Sequence, residues 1–529
     1  MRRWNGWGDD TMTYPLPASV AEVITGLLGS GTPPHDASLG DVAAHVPVSR
    51  LPAHPLVSTD AADRLRHARG QSFPDLIALR SGQIPVFPDG VAYPLSATDV
   101  RALLDYAAAV SARLIPYGGG TSVVGHITPQ AGAAPILTVD MRRMNRLLDL
   151  DTENHLARFG TGVTGPDLEA QLHAHGYTLG HYPQSFEQST LGGWIATRSR
   201  GQQSLGYGRI EQLFLGGKVE APVGSLQLPP FPASATGPDL REMVLGSEGR
   251  FGILTEAIVR VVPIPACEDF HAVFFPDWES AFIAVRRIAQ SGYPLSMVRL
   301  STPTETAMNF ALAGHRRGVA LLRQLLALRG VGAGGCMLLL GFTGSQAMVD
   351  LSRSTMLGIA REHRGVHVGR ALGRQWRRGR FRAPYLRDEL WVRGYAVDTV
   401  ETATNWQNVP AMIEAVEQAL RDALADQGEH VHAFTHLSHV YPHGSSVYTT
   451  FLFRLGLDAK ETERRWQALK AAACQAIMAH GGTISHQHGV GSDHRPYLAA
   501  EKGTLGMAAL RGFLAACDPE GLLNPGKLV

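Results

Sequence analysis

Cysteine is scarce in this chain. Only Cys267, Cys336, Cys474 and Cys517 occur in 529 residues, far apart and without a C-x-x-C pair. They read as reduced, mostly buried thiols of a cytoplasmic protein, not as a disulfide framework. Charge of one sign is not in excess either. Against 48 Lys and Arg stand 47 Asp and Glu, a formal net charge of +1. A general nucleic-acid binder needs a basic surplus, so nucleic acid is not an expected partner. No apolar run reaches the roughly 18 residues of a membrane span. Met1–Thr13 is polar and rich in Trp and Gly, which excludes a secretory core. Internal repeats and long low-complexity tracts are absent. The length allows a large core and suggests two or three domains.

Glycine is abundant and placed with a purpose. Arg113-Leu114-Ile115 reads as the end of a buried strand, and Pro116-Tyr117-Gly118-Gly119-Gly120-Thr121-Ser122 follows it. Consecutive glycines leave backbone N–H groups open in a concave turn, and Thr121 and Ser122 add hydroxyl donors. That combination suits a pyrophosphate. The spacing is neither G-x-G-x-x-G nor a Walker loop, and no Lys follows. Taken alone, the stretch also fits an ordinary Gly-rich turn, the weaker of the two readings. Related segments recur downstream: Gln184-Ser185-Phe186-Glu187-Gln188-Ser189-Thr190, Thr197-Arg198-Ser199-Arg200, and Glu248-Gly249-Arg250-Phe251-Gly252-Ile253-Leu254. Glycine-punctuated, hydroxyl-rich segments between apolar strands suggest one long dinucleotide cradled by several loops.

The sharpest polar constellation is Thr483-Ile484-Ser485-His486-Gln487-His488-Gly489-Val490-Gly491. In an extended segment, residues two apart share a face. His486 and His488 are therefore expected to point into one site, with Gln487 directed away. Histidine suits proton abstraction near neutral pH, although structural histidines are common. Tyr448, with Ser446 and Thr450, forms a polar strand face opposite Val447, Thr449 and Phe451. It reads as a phenol that can donate to an oxyanion or as a buried structural Tyr, and Tyr441 is its nearest competitor. His436 and His439 could pair on a metal, but no metal site is expected.

PYGGGTS, SFEQSTLGGWIATRS, Ala235-Thr236-Gly237-Pro238-Asp239-Leu240 and GSEGRFGILTEA follow Trp4-Asn5-Gly6-Trp7-Gly8 in that order. Together they resemble the flavin domain of the vanillyl-alcohol-oxidase (PCMH-type) superfamily, and within it the alkyldihydroxyacetonephosphate synthase family. The resemblance implies an α+β protein: a helical segment at 1–83, a two-subdomain FAD-binding domain at 84–265, a substrate-binding cap at 266–480 and a return to the flavin domain at 481–529. It implies non-covalently held FAD, since His126 is not in a Gly-Gly-His arrangement. It also implies the substrates acyl-dihydroxyacetone phosphate and a long-chain alcohol, joined into an ether through trapping of substrate carbon at flavin N5. Tyr448 matches the family's active-site tyrosine, Arg387 its substrate-binding arginine and Arg299 another arginine needed for activity. His486 and His488 match the family's histidine run, whose middle member is Gln487 here. The alternative is an FAD-linked oxidase or dehydrogenase of a hydroxy acid or alcohol, without the Gly-Asp-Gly-Asn segment of 2-hydroxyacid dehydrogenases. The family's peroxisomal extension has no room before WNGWG, so a cytoplasmic location is expected.

Two cap segments carry further expectations. His315–Arg329 places Leu321, Leu322, Leu325 and Leu326 on one helical face, which suits a core-facing helix or an interfacial one touching a membrane. Arg370, Arg374, Arg377, Arg378, Arg380 and Arg382 form a basic run that fits a solvated loop, an anionic substrate or a lipid surface. A homodimer is the expected assembly.

Overall fold

The computed structural model describes residues 2–313 and 316–529. His315, the expected start of the leucine-rich helix, lies outside them. The amino-terminal part supplies short helices, Ala18–Leu28, Leu39–Ala44, Ala61–Arg66 and Phe73–Ser81. Phe73–Ser81 opens on a capping box in which Ser72 Oγ accepts from the Asp75 N–H and the Asp75 carboxylate accepts from the Ser72 N–H. The same device, Ser96 with Asp99, starts the helix Ala97–Ala109.

Two sheets form the next layer. In the first, Val57–Ser58, Gly90–Ala92, Ile136–Asp140 and Arg113–Tyr117 lie in that order, the last three parallel. The second is antiparallel: Leu147–Asp151, Leu156–Gly160, Ile253–Arg260, Phe214–Ala221 and Gly224–Leu228. The alternation at 151–162, which reads as one strand, is divided by a turn whose Asp151 carboxylate accepts N–H groups from Glu153 and Asn154. The carboxyl-terminal part of the chain packs into both cores. Leu523 is buried with Leu114 and Leu137, and Leu498, Leu514 and Leu528 with Trp194 and Phe214. The Leu114 N–H donates to the Leu522 carbonyl, and the Asn524 N–H donates to the Leu114 carbonyl.

Residues between these parts build a separate antiparallel sheet. Its order is Val366–His367, Cys267–Phe275, Cys336–Gly344, Met297–Ser301, His432–Leu437, Gly444–Arg454 and Tyr395–Asn405, with Val440–Tyr441 paired onto Gly444–Arg454. Helices cover one face. Trp278–Gln290 buries Ala281, Ala284, Val285 and Ile288, the spacing of one helical stripe. Long strands rich in Val, Phe and Leu suit the sheet because both of their faces are largely buried.

The leucine-rich segment forms the helix Arg316–Ala327, but its leucines do not share one environment. Leu326 is buried, Leu322 lines the central cavity, and Leu321 and Leu325 are more than half exposed.

Asp388 ties the amino terminus to the cap. Its carboxylate accepts from Arg3 (3.0 Å), Arg80 (2.6 Å) and the Trp7 N–H (2.9 Å). Removing one partner of a buried ion pair strands the others. Asp388→Ala is therefore expected to cost about 3–5 kcal/mol, measured by denaturant unfolding of the wild type and the variant.

Candidate active site

A cavity of about 1480 Å³ runs between the two sheets of the amino-terminal half and the cap sheet. Its flavin-side wall is the strand-to-loop turn 116–122, with Gln184, Ser185, Ser189, Thr190, Thr197, Ser199, Arg200, Glu248, Gly249, Gly252, Ile253 and Leu254. Phe186, Glu187, Gln188, Arg198, Arg250 and Phe251 do not line it. They hold the loops from behind: Phe186 stacks on Phe381, Phe251 on Phe513, and Arg250 donates to the Leu523 carbonyl. Arg198 caps a helix at φ +52 and pairs with Glu242, and Tyr385 donates to the Glu187 carboxylate.

The glycines of the turn answer to packing as well as to a ligand. A Cβ on Gly118 would strike Thr190 Oγ1, and one on Gly119 would strike the Gln188 carbonyl. The turn thus lies directly on the 188–190 loop. Loss of cofactor from Gly119→Val would for that reason report loop packing first.

The wall fits FAD. Buried polar atoms without a protein partner include Arg200 Nε, Gln202 Oε1 and Asn524 Oδ1, and all three residues face the cavity. A group carrying both donors and acceptors would satisfy them. Gly120 at φ +64 and Gly249 at φ +72 bring backbone close to the cavity in a conformation that other residues adopt only with strain. His126, buried, bonds Ser122 Oγ at 2.7 Å and faces Glu248 at 3.1 Å.

The cap contributes the opposite wall. Tyr448, on Gly444–Arg454, sits opposite Glu401 and His436 on the flanking strands. Its hydroxyl donates to Thr399 Oγ1 at 3.2 Å, and burial pushes its pKa up to about 12. His436 stacks on Tyr448, with ring centroids 4.9 Å apart. Arg299 donates to Glu305 (2.8 Å), which also lies 2.9 Å from His436 Nδ1. Burial alone would raise the Glu305 carboxyl, but His436 and Arg299 outweigh it and hold the pKa at about 2. Arg387 donates to the Gln71 carbonyl (2.5 Å) and to Asp398 (2.8 Å), which also accepts from Trp466. Among the described residues no group of three or more metal-type side chains converges.

The segment 483–488 is not a strand. It is a loop folded over the Glu401 carboxylate, which accepts the backbone N–H groups of His486 (2.7 Å), Gln487 and His488 (3.0 Å) and the hydroxyl of Ser485 (2.7 Å). A single buried acceptor that gathers successive N–H groups cannot coexist with an alternating strand, so the expected pointing of side chains fails. Gln487 and His488 line the cavity; His486 does not. His486 lies behind, with its Nε2 2.6 Å from the Tyr441 hydroxyl and its ring 5.2 Å from that of His439. Gln487 Oε1 is buried without a partner. His488 is pushed below its ordinary value by burial, which Glu401 partly opposes. Burial and Arg200 push His439 down to about 3. These imidazoles are therefore neutral at pH 7.

Glu305 and Glu401 were not singled out by sequence spacing, and Gln487, expected to point away, lines the cavity. Acids within the apolar strand Tyr395–Asn405 were the available signal for Asp398 and Glu401, because a buried carboxylate needs partners.

The fold and this cavity define a flavoenzyme: a two-part FAD-binding unit of the PCMH type closed by an antiparallel cap. Residues 88–227 match the family described as FAD binding domain, and residues 264–528 match FAD linked oxidases, C-terminal domain. The alkyldihydroxyacetonephosphate synthase of Dictyostelium discoideum is 33% identical over 479 residues, covering 89% of this chain and 78% of the relative. A solved alkyldihydroxyacetonephosphate synthase structure superposes with a TM-score of 0.85 at 29% identity, covering 100% of this chain and 99% of the other. p-Cresol methylhydroxylase shares the fold alone, with a TM-score of 0.64 at 15% identity over 96% of each chain. The chain belongs to the alkyldihydroxyacetonephosphate synthase family.

Gln487→Ala is expected to lower kcat/KM about 5–10-fold, the worth of one hydrogen bond. His486→Ala is expected to act on the loop instead and lower the Tm, and Tyr441→Phe, which deletes the partner of His486, to do the same. Thermal denaturation and steady-state rates of the three variants check this.

Proposed function

We propose that this protein is an FAD-dependent alkylglycerone-phosphate synthase, exchanging the acyl group of acyl-dihydroxyacetone phosphate for a long-chain alcohol. The observation that carries the reading is one cavity with two kinds of wall. Tyr448, His488, Gln487, Arg299 and His436 make a polar end; Phe310, Leu312, Val319, Leu322, Met337 and Leu372 make an apolar arm suited to aliphatic chains. The FAD cradle opens into the same space.

When bound, FAD supplies an electrophilic ring beside the carbon that exchanges its oxygen substituent. The net change breaks one C–O bond and forms another. The fatty carboxylate leaves with the bonding pair, the alcohol oxygen joins the carbon, and the alcohol's proton is released. His488, held neutral by burial, is poised to take a proton from the carbon beside the ketone. Tyr448 keeps its proton to high pH and can donate a hydrogen bond to the ketone oxygen. Arg299 and Arg387, each fixed by a carboxylate, line the cavity and can donate to the carboxylate as it leaves. FAD is held without a covalent bond. Leu321, Leu325 and Leu328, exposed beside the apolar arm, support peripheral contact with a membrane from which the chains would come. Among the described residues no helix is long and apolar enough to cross one.

Incubating the holoenzyme with acyl-dihydroxyacetone phosphate and hexadecanol should yield the ether by mass spectrometry. Bleaching of flavin by hydroxy acids under anaerobic conditions, with no ether formed, would mark an oxidase instead. Tyr448→Phe and His488→Ala should keep their FAD, releasable by acid, yet lose about 10²–10⁴-fold in turnover.

The pH dependence follows from the direction of the histidine shift. His488 titrates below 6.5 in the folded protein, so the neutral form persists as pH falls through that value. The acid limb of the kcat/KM profile should therefore lie below pH 6.5. A limb at or above that value would remove His488 as the base.

A further inference from the structure

Charge along the cavity does not balance. Each carboxylate on its wall already has a partner inside the protein. Glu305 has Arg299 and His436, Asp398 has Arg387, and Asp388 has Arg3 and Arg80. Glu248 accepts the N–H groups of Val490 and Gly491 and faces His126. The arginines are not all matched in return.

The basic run divides by what its members touch. Arg370 pairs with Asp269 at 2.9 Å and Arg377 with Glu268 at 2.6 Å, fastening the helix Ala371–Gly379 to the strand Cys267–Phe275. Arg380 donates to Gln203 at 2.6 Å and lies over Tyr182, while its carbonyl accepts from Gln184 and Gln202 of the flavin-side wall. The helix is thus anchored at both ends. Arg374 and Arg378 sit one turn apart between the anchors and line the cavity. Among the described residues they have neither an ion pair nor a hydrogen bond from their side chains. Arg299 and Arg387, by contrast, already spend donors on buried carboxylates.

We propose that Arg374 and Arg378 form a binding subsite for a phosphate monoester, the phosphate of the ketone substrate. The proposal rests on the synthase reading above. Side chains four residues apart on a helix have Cβ atoms about 5–6 Å from each other, so both guanidinium forks can reach one phosphate. Two uncompensated positive charges match a dianion better than the single charge of a fatty carboxylate. Because the helix is anchored at both ends, little backbone ordering is lost on binding. Arg382, which lines the same wall with its guanidinium 4.7 Å from the Tyr14 ring centroid, adds to the positive potential.

The test compares the wild-type holoenzyme with Arg374→Gln/Arg378→Gln and Arg374→Lys/Arg378→Lys, using inorganic phosphate as the probe in calorimetric titration. The Gln pair should weaken phosphate binding and raise KM for acyl-dihydroxyacetone phosphate at least about tenfold. It should leave kcat and the KM for hexadecanol within about twofold and flatten the dependence of KM on salt. The Lys pair should recover part of the loss, which separates charge from fold. Unchanged phosphate affinity in the Gln pair overturns the proposal whether or not ether is formed. Lost phosphate affinity in a protein that makes no ether from any variant keeps the subsite and counts against the synthase reading. Unchanged phosphate affinity together with lost sedimentation on phosphatidylglycerol vesicles assigns the arginines to a lipid surface and also overturns it.

Discussion

The Glu401 carboxylate is the constraint on which the polar end of the cavity depends. It sits on the last strand of the cap sheet, directly across from Tyr448, and is 2% exposed. Burying such a charge is costly unless its oxygens are filled. Here they are filled by the backbone of the returning carboxyl-terminal segment, which brings successive N–H groups from 486 to 488 and the Ser485 hydroxyl to one point. The strand therefore fixes the loop, and the loop fixes which side chains face the flavin side. Glu248 repeats the device from the other half by accepting the N–H groups of Val490 and Gly491. One short loop is held between a carboxylate on the cap sheet and one in the loop that precedes Ile253–Arg260, so cap and flavin unit are registered through it.

This arrangement sets a limit on what sequence alone could reveal. The flavin loops were legible because glycine- and hydroxyl-rich segments recur between apolar strands, and the cavity gathers most of them. The residues that braced those loops, such as Phe186 and Arg250, looked alike in sequence and turn away in space, because facing the ligand or facing a neighbour is decided by packing. The histidine segment failed differently. Period-two alternation assumes a strand ladder, and no ladder partner is available where a side-chain carboxylate takes the backbone N–H groups. Gln487 enters the cavity for that reason. Arg299 and Arg387 were visible only through family likeness, since nothing in their spacing distinguishes them from surface arginines.

The electrostatics of the site follow from the same economy of partners. His439 and His486 are kept neutral by burial and by Arg200 nearby. Most acids are neutralised in place. A cavity of this kind presents neutral bases and a weakly acidic phenol to a substrate that brings its own negative charge, so protons can move between groups without a fixed carboxylate trapping them.

The return of the chain end has a consequence for biosynthesis. Asn524 donates its amide to the carbonyls of His126 and Glu248, and Lys527 donates to that of Thr128, so residues made late complete the walls formed by those made early. Because the ribosome delivers the chain from its amino terminus, the cap sheet is synthesised before the cofactor cradle can close. More than half the protein is translated between the early strands of the cradle and the segment that closes it. Flavin capture by the completed cradle is then a late event, because it needs the segment around Asn524 and Lys527 to have been made.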